Sequence, residues 1–289
     1  LSTDVGPVID TRARAGIDAH VAEALAEGRL VHRLKTPRDG TFVAPTLIRV
    51  DGIADMGREI FGPVLHIATF KSRDLDKVID DINATGYGLT FGLHTRIDDR
   101  VQHVADRILA GNIYVNRNQI GAIVGSQPFG GLGLSGTGPK AGGPDYLLRF
   151  HALASAPDTA PWAKAAPLPA QPEEPMHTQS ALALPGPTGE SNVLSRFPNP
   201  ALLCAGPGAQ AANAQADAVR TLGGKAVAAE GGFNAADLST GPAYGGVSWW
   251  GDAETARALE RALAARQCES VRVLRAEHGW HVRIEAHPA

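Results

Sequence analysis

Apolar residues recur in the first half of the chain in blocks whose period switches between helix and strand. Ile17, Val21 and Leu25 stand four apart and mark one stripe of a helix that stops near Gly28. Residues 29–33 and 42–50 then read as strands. The second, FVAPTLIRV, is apolar enough to be buried on at least one face, and Pro45 favours an edge or a bulge there. The apolar run VLHIATF follows a Gly-Pro turn at Gly62-Pro63. Leu75, Val78, Ile79 and Ile82 share a face of a helix over 72–84, and Lys77, Asp80 and Asp81 form its solvated side. Residues 86–93, GYGLTFGL, alternate small and apolar side chains like a strand packed under a helix. Val101, Val104 and Ile108 mark a helix over 97–109, and Ile113 to Val115 a short strand after it. Strand, helix, strand, helix, strand is the order of a parallel α/β layer.

The pattern lapses after Phe150. Prolines stand at 157, 161, 167, 169, 172, 175, 185 and 187 among alanines, with no period to support an element, so 151–192 reads as a linker. Beyond it, 201–206 reads as a strand, 209–222 as an Ala-rich helix and 225–229 as a second strand. Residues 254–266 read as a helix with Leu259 and Leu263 on one face, and 270–276 and 281–286 as strands joined at Glu277 to Trp280. The predicted fold class is therefore α/β throughout, with 193–289 a small βαβ, Rossmann-like domain. Gly206-x-Gly208 opening a helix invites a dinucleotide, but the third glycine and the acidic residue after the second strand are missing, so the fingerprint is degenerate. Trp249 and Trp250 are expected to be packing or interface anchors.

Composition narrows the function classes. A net charge of −3 and no clustered Lys and Arg give no attraction for nucleic acid. No apolar run approaches a membrane span, and the N-terminal LSTDVGPVID lacks the layout of a signal peptide, so a cytoplasmic enzyme class is expected. Cys204 and Cys268 are too few for a disulfide framework and too far apart for a CxxC site, and no metal site is expected. Cys204, in the apolar run ALLCAG, should be a buried thiol with a raised pKa, and Glu269 beside Cys268 disfavours a thiolate there. His20 lies between stripe positions and His103 on an outer helix face, so both are expected to be solvated.

Chemistry concentrates in Gly111 to Pro144, GNIYVNRNQIGAIVGSQPFGGLGLSGTGPKAGGP. A strand releases Asn116, Arg117 and Asn118 at its end, where α/β folds place ligand-contacting groups, and runs into a glycine-rich loop whose main-chain N–H groups a ligand can approach. Phe129, between Pro128 and Gly130, supplies an apolar wall. A second candidate is Glu59-Ile60-Phe61-Gly62-Pro63-Val64. Its carboxylate and aromatic, two residues apart before a strand, suit a bound ring and its sugar. By themselves the two residues also read as a helix-terminal Glu and a core Phe.

On these residues the chain resembles the C-terminal part of an aldehyde dehydrogenase catalytic domain. Val5-Gly6-Pro7-Val8-Ile9-Asp10 resembles the segment just after the family's nucleophile helix, and NRNQIGAIVGSQPFGG with LSGTGPKAGGP resembles its L-glutamate γ-semialdehyde (pyrroline-5-carboxylate) dehydrogenase branch. Within that branch the chain resembles the bifunctional proline utilization A (PutA) proteins, and Leu184-Pro185-Gly186-Pro187-Thr188-Gly189-Glu190-Ser191-Asn192 resembles a run they carry after the dehydrogenase domain.

The resemblance implies three segments: 1–150 the end of the catalytic domain, 151–192 the linker, and 193–289 a small α/β domain like the degenerate dehydrogenase-like fold of long PutA proteins. It implies NAD as cofactor, Glu59 on the ribose hydroxyls beside the nicotinamide and Phe61 against that ring. It implies Gly121 and Ala122 as main-chain donors to the substrate's α-carboxylate and Phe129 along its methylene chain. Some relatives carry a serine where Ala122 stands, so only main-chain donors are expected here. FAD is implied only if a proline dehydrogenase domain lies upstream, and a homodimer or larger homo-oligomer is implied for the parent. The family's nucleophilic cysteine, oxyanion asparagine, general-base glutamate and NAD domain precede the GPVID position, so the segment alone is expected to be catalytically incompetent. The alternatives are a non-catalytic scaffold or assembly module, and an aldehyde dehydrogenase of another substrate class, against which the loop NQIGAIVGSQPFGG argues.

Overall fold

The computed structural model describes residues 5–37, 39–119, 122–136, 139–146, 160–171, 180–196, 200–266 and 273–275. The backbone forms two compact units, Leu1–Thr85 with Asp106–Ile108, and Gly86–Ala105 with Leu109–Ala289.

In the first unit, α1 (Thr11–Ala26) starts where the Asp10 carboxylate accepts the N–H of Ala13 at 2.7 Å. Its buried residues are Ile17, Val21 and Ala24, and Leu25 is 61% exposed, against the predicted stripe. Steps of four residues advance 40° past a full turn, so the position eight residues on has rotated off the face, whereas the position seven on returns to within 20° of it. Strands β1 (Leu30–Arg33), β2 (Thr46–Arg49) and β3 (Val64–Ile67) form a sheet in the order β1-β2-β3, antiparallel then parallel. β2 is central, not at an edge; Pro45 precedes its first paired residue and so removes no ladder donor. Ile48 and Val50 of this segment close a core with Ile17 and Val21. Helix α2 (Leu75–Asn83) buries Ile79, and Asp76 and Asp80 pair with Arg107.

His20 is not simply solvated. Its Nε2 lies 2.8 Å from Nε2 of His66 on β3, one ring donating and the other accepting. Burial first, then His20 and Arg29, push the His66 pKa down.

In the second unit, β4 (Tyr87–Gly88) pairs antiparallel with β7 (Leu132–Gly133), and β5 (Thr90–Leu93) pairs parallel with β6 (Asn112–Val115); helix α3 (Asp98–Arg107) lies between β5 and β6 in sequence. His103, on α3, is exposed. Across the end of the expected linker span and the start of the expected C-terminal domain, β8 (Ser180–Leu184) and β9 (Asn192–Arg196) form an antiparallel hairpin whose turn is the PGPTGE run. No period announced it.

The rest of this unit is the predicted α/β layer, completed by one strand the pattern missed. Strand β10 (Leu202–Cys204), α4 (Gly208–Thr221), β11 (Ala226–Ala228), β12 (Gly246–Trp249), α5 (Ala253–Ala264) and β13 (Val273–Arg275) build a parallel sheet in the order β11-β10-β12-β13. β12, buried at every position, has no alternation to reveal it. Leu203, Val247, Trp249, Leu259 and Leu263 share its core. Trp249 is thus a packing residue, 8% exposed, and Cys204 is fully buried with its thiol pushed up to about 12 by desolvation. Cys268 and residues 281–286 lie outside the described residues.

The strand order reverses between β10 and β12, the position where open α/β sheets bind ligands. Here the chain itself fills it. Trp162 donates its Nε1 to the Ala205 carbonyl at 3.1 Å, and a Cβ on Gly208 would stand 2.1 Å from the Ala160 carbonyl oxygen. Ala165 bridges Gly232, and further along the same segment the Pro169 carbonyl accepts from Tyr244 and Gln171 donates to the Ala201 carbonyl at 2.7 Å. The Gly-x-Gly turn therefore admits residues 160–162 where a dinucleotide-binding turn admits a pyrophosphate.

Candidate functional site

In the first unit, the Glu59–Val64 turn is held at both ends. Ile60 packs against the α1 core, and the Pro63 carbonyl accepts the N–H of Thr46 at 3.0 Å. Glu59 and Phe61 flank the anchored Ile60, and both are exposed, Phe61 by 83%. Glu59 has no hydrogen-bond or ion-pair partner among the described residues. The alternative of a core Phe is excluded for the chain as it stands. An aromatic this exposed is open to contact and is no part of the described core, and the free carboxylate beside it is an acceptor for hydroxyl donors.

In the second unit, the loop after β6 is a tight structure. Asn116 ends the strand in the left-handed region (φ 55°), with its Oδ1 accepting the Thr95 N–H at 2.9 Å. Arg117 lies over the Tyr114 ring, 5.3 Å from its centroid, and its Nη1 donates to Glu190 at 3.0 Å. Asn116 and Arg117 are therefore engaged internally, against the ligand-contacting role expected for the strand end. Gly121 lies outside the described residues. Ala122 is exposed, and its N–H has no partner among the described residues. Ile123 to Gln127 closes as a turn, the Gln127 N–H donating to the Ile123 carbonyl at 2.7 Å. Phe129 is partly buried, and its backbone exchanges two hydrogen bonds with Ala141, at 3.0 and 2.8 Å.

The residues that hold this loop were not candidates from the sequence. The Asn112 side chain donates to the Pro128 carbonyl at 2.9 Å and accepts the Gly130 N–H at 3.2 Å, so it grips both sides of Phe129. Lys140 is buried, and its Nζ donates to the carbonyls of Gly111 and Gly130 and to Asn112 Oδ1. Burial lowers its pKa to about 8. With three oxygen acceptors and its head group inside, it serves as a clamp. Gly111 must be a glycine, since a Cβ there would meet the Gly130 carbonyl oxygen at 1.9 Å. The signal available in the sequence was a lone lysine inside GTGPKAGGP, where no charge partner stands nearby.

The sequence pattern of the aldehyde dehydrogenase family matches residues 1–155. The bifunctional protein PutA of Rhizobium meliloti is 41% identical over 306 residues, covering 92% of this chain and 25% of that protein. A 1-pyrroline-5-carboxylate dehydrogenase of Bacillus cereus strain B4264 is 42% identical over 151 residues, covering 51% of this chain and 29% of that protein. A crystal structure of a Bradyrhizobium japonicum proline utilization A point mutant matches at 53% identity and a TM-score of 0.50, over 51% of this chain and 15% of that one. The chain spans about a quarter of the length of the curated relatives it matches. Among the described residues no helix is long and apolar enough to cross a membrane.

Proposed function

This chain belongs to the aldehyde dehydrogenase family, and from that premise we propose that it is the C-terminal part of an NAD-dependent L-glutamate γ-semialdehyde dehydrogenase, one that oxidises the semialdehyde to glutamate in proline catabolism within a bifunctional proline dehydrogenase/semialdehyde dehydrogenase. The division into 1–150, 151–192 and 193–289, a cytoplasmic homodimer or larger homo-oligomer, and FAD in an accompanying proline dehydrogenase domain belong to the same proposal. The observation that carries it is the loop NQIGAIVGSQPFGG, held by Asn112 and Lys140 with the Ala122 N–H free among the described residues.

The loop's task is to hold a carboxylate remote from the reacting aldehyde. Main-chain donors at Gly121 and Ala122 would chelate it, and Asn112, Lys140 and the Phe129–Ala141 bridge hold the Pro128–Gly130 end of the loop, where Phe129 stands. Phe129 lies along the methylene chain and excludes water there. In the other unit, Glu59 would accept hydrogen bonds from the ribose hydroxyls and Phe61 would cover the nicotinamide. NAD, when bound, supplies the hydride acceptor. The free carboxylate and the exposed aromatic fit that group.

The test uses the full-length protein that carries this chain, assayed with the semialdehyde and with a simple aliphatic aldehyde. Ala122→Pro deletes one donor and fixes φ, and should lower kcat/KM for the semialdehyde by about ten- to a hundredfold while changing the aliphatic aldehyde much less. Ala122→Ser should be equal or better. Equal losses on both aldehydes in a folded Ala122→Pro enzyme would overturn the assignment, and a wild-type protein inactive on both would favour the scaffold.

A further inference from the structure

The hairpin that follows the dehydrogenase segment reaches back to the substrate loop through one carboxylate. Glu190 Oε1 accepts from Gln127 Nε2 at 2.8 Å and from Asn192 Nδ2 at 3.0 Å, and Oε2 accepts from Arg117 Nη1 at 3.0 Å. Two of these donors belong to the strand end and the loop, 73 and 63 residues away in sequence, and the third to the hairpin itself.

Each group is prepared for this meeting. Asn192 also donates to the Pro185 carbonyl at 3.1 Å, and the Glu190 N–H donates to the Pro187 carbonyl at 3.1 Å, so the PGPTGE turn presents Glu190 in one place. Arg117 is laid over the buried Tyr114 ring. Gln127 is only 6% exposed, and its Oε1 has no hydrogen-bond partner among the described residues. Its amide is thus buried with one end unsatisfied, and its Nε2 is spent on the acceptor-only carboxylate. A second ion pair, Arg196 to Asp145 at 3.1 Å, ties β9 to the segment after Lys140. The Asn192 amide first, with Gln127 and Arg117 adding to it, holds the Glu190 carboxyl below the usual carboxylate range against the desolvation that would raise it.

We propose that Glu190 is a positioning residue of the substrate site: by gathering Arg117, Gln127 and Asn192 it fixes the Ile123–Gln127 turn, and through it Ala122 and Phe129, so that the PGPTGE hairpin builds substrate binding from outside the dehydrogenase segment. This rests on the semialdehyde reading for its substrate, but not for its geometry. Gln127 closes the turn with its own N–H, and its side chain is the part that Glu190 holds. Releasing that side chain frees the turn on which both substrate contacts depend, while the reacting groups are untouched.

The experiment is made in the full-length enzyme with Glu190→Gln, whose amide cannot accept from all three donors, and with Glu190→Ala. Hydrogen exchange of the bonded turn amides of Gly125, Ser126 and Gln127 should quicken by about tenfold in Glu190→Gln relative to wild type. KM for the semialdehyde should rise by about tenfold, while kcat and the kinetics of an aliphatic aldehyde stay within about twofold. Adding Gln127→Ala to Glu190→Ala should cost no more than Glu190→Ala alone, since both act through one bond. If Glu190→Ala fails to fold, Glu190→Gln with Gln127→Ala in the same cycle decides. Unchanged loop exchange, or additive losses in the cycle, would overturn the proposal. Faster exchange with no preference between the two aldehydes would leave the positioning role standing and overturn the semialdehyde reading instead.

Discussion

Two glycine-rich turns follow strand ends in this molecule, and they serve opposite ends. The turn after β6 leaves Ala122 to Val124 exposed, Val124 by 84%, on a frame clamped by Asn112 and Lys140. The turn after β10 is filled by Ala160 and Trp162 of the same chain. Gln215, fully buried, bonds both backbone groups of Gly206 at 3.0 and 2.8 Å and leaves neither for a ligand. Missing Cβ atoms allow a close approach in both. What approaches is decided by segments remote in sequence, so a short glycine pattern is evidence of close contact and not of a ligand.

Labelling gives the largest expected difference between the two sites. Cys204, at the base of the closed turn and with its pKa pushed up to about 12, should be alkylated at pH 8 about a thousandfold more slowly in the native protein than after unfolding. Peptide-level mass spectrometry of the Cys204 peptide measures this, and rapid native labelling would mean the closed turn opens. Next, Gly208→Ala introduces a Cβ at 2.1 Å from Ala160 oxygen with φ at +76°, and should cost about 2–4 kcal/mol of stability. Its substrate preference should be unchanged, whereas Ala122→Pro should show the reverse. Calorimetry together with two-aldehyde kinetics separates them, and a selectivity change in Gly208→Ala would dissolve the distinction.

Glu59→Ala carries the open side of the comparison to the cofactor. Loss of a charge-assisted bond should weaken the placement of the nicotinamide ribose by about 1.5–3 kcal/mol, seen in the KM for NAD and not in the choice of aldehyde. Unchanged cofactor kinetics would remove Glu59 from the site. The smallest effect concerns His66. Its folded pKa lies below the ordinary 6.5, so its stabilisation is whole above pH 6.5 and declines as pH falls from there through the lowered value. Thermal melts across that window should fall more steeply for wild type than for His66→Gln, and parallel curves would rule out the linkage.

By itself the sequence placed the helices and several strands, because 3.6- and 2-residue periods are local: α2, α3, β6 and α5 stand where their apolar faces predicted, and α4 where its Ala-rich run did. It also marked the family, through NQIGAIVGSQPFGG and EIFGPV, since close backbone approach and turn chemistry demand particular residues at fixed spacing. It predicted the inert, buried Cys204 from the apolar run around it. Only the tertiary structure decided which polar residues meet. The hairpin β8–β9 and the buried β12 have no period to show, one because its strands are short and partly exposed and the other because every position is inside. His20 meets His66 across 46 residues, Lys140 meets Gly111 across 29, and Glu190 meets Arg117 across 73. A hydrogen bond of this kind depends on two polar groups arriving within about 3 Å through separate elements, and nothing in the neighbourhood of either residue encodes that arrival.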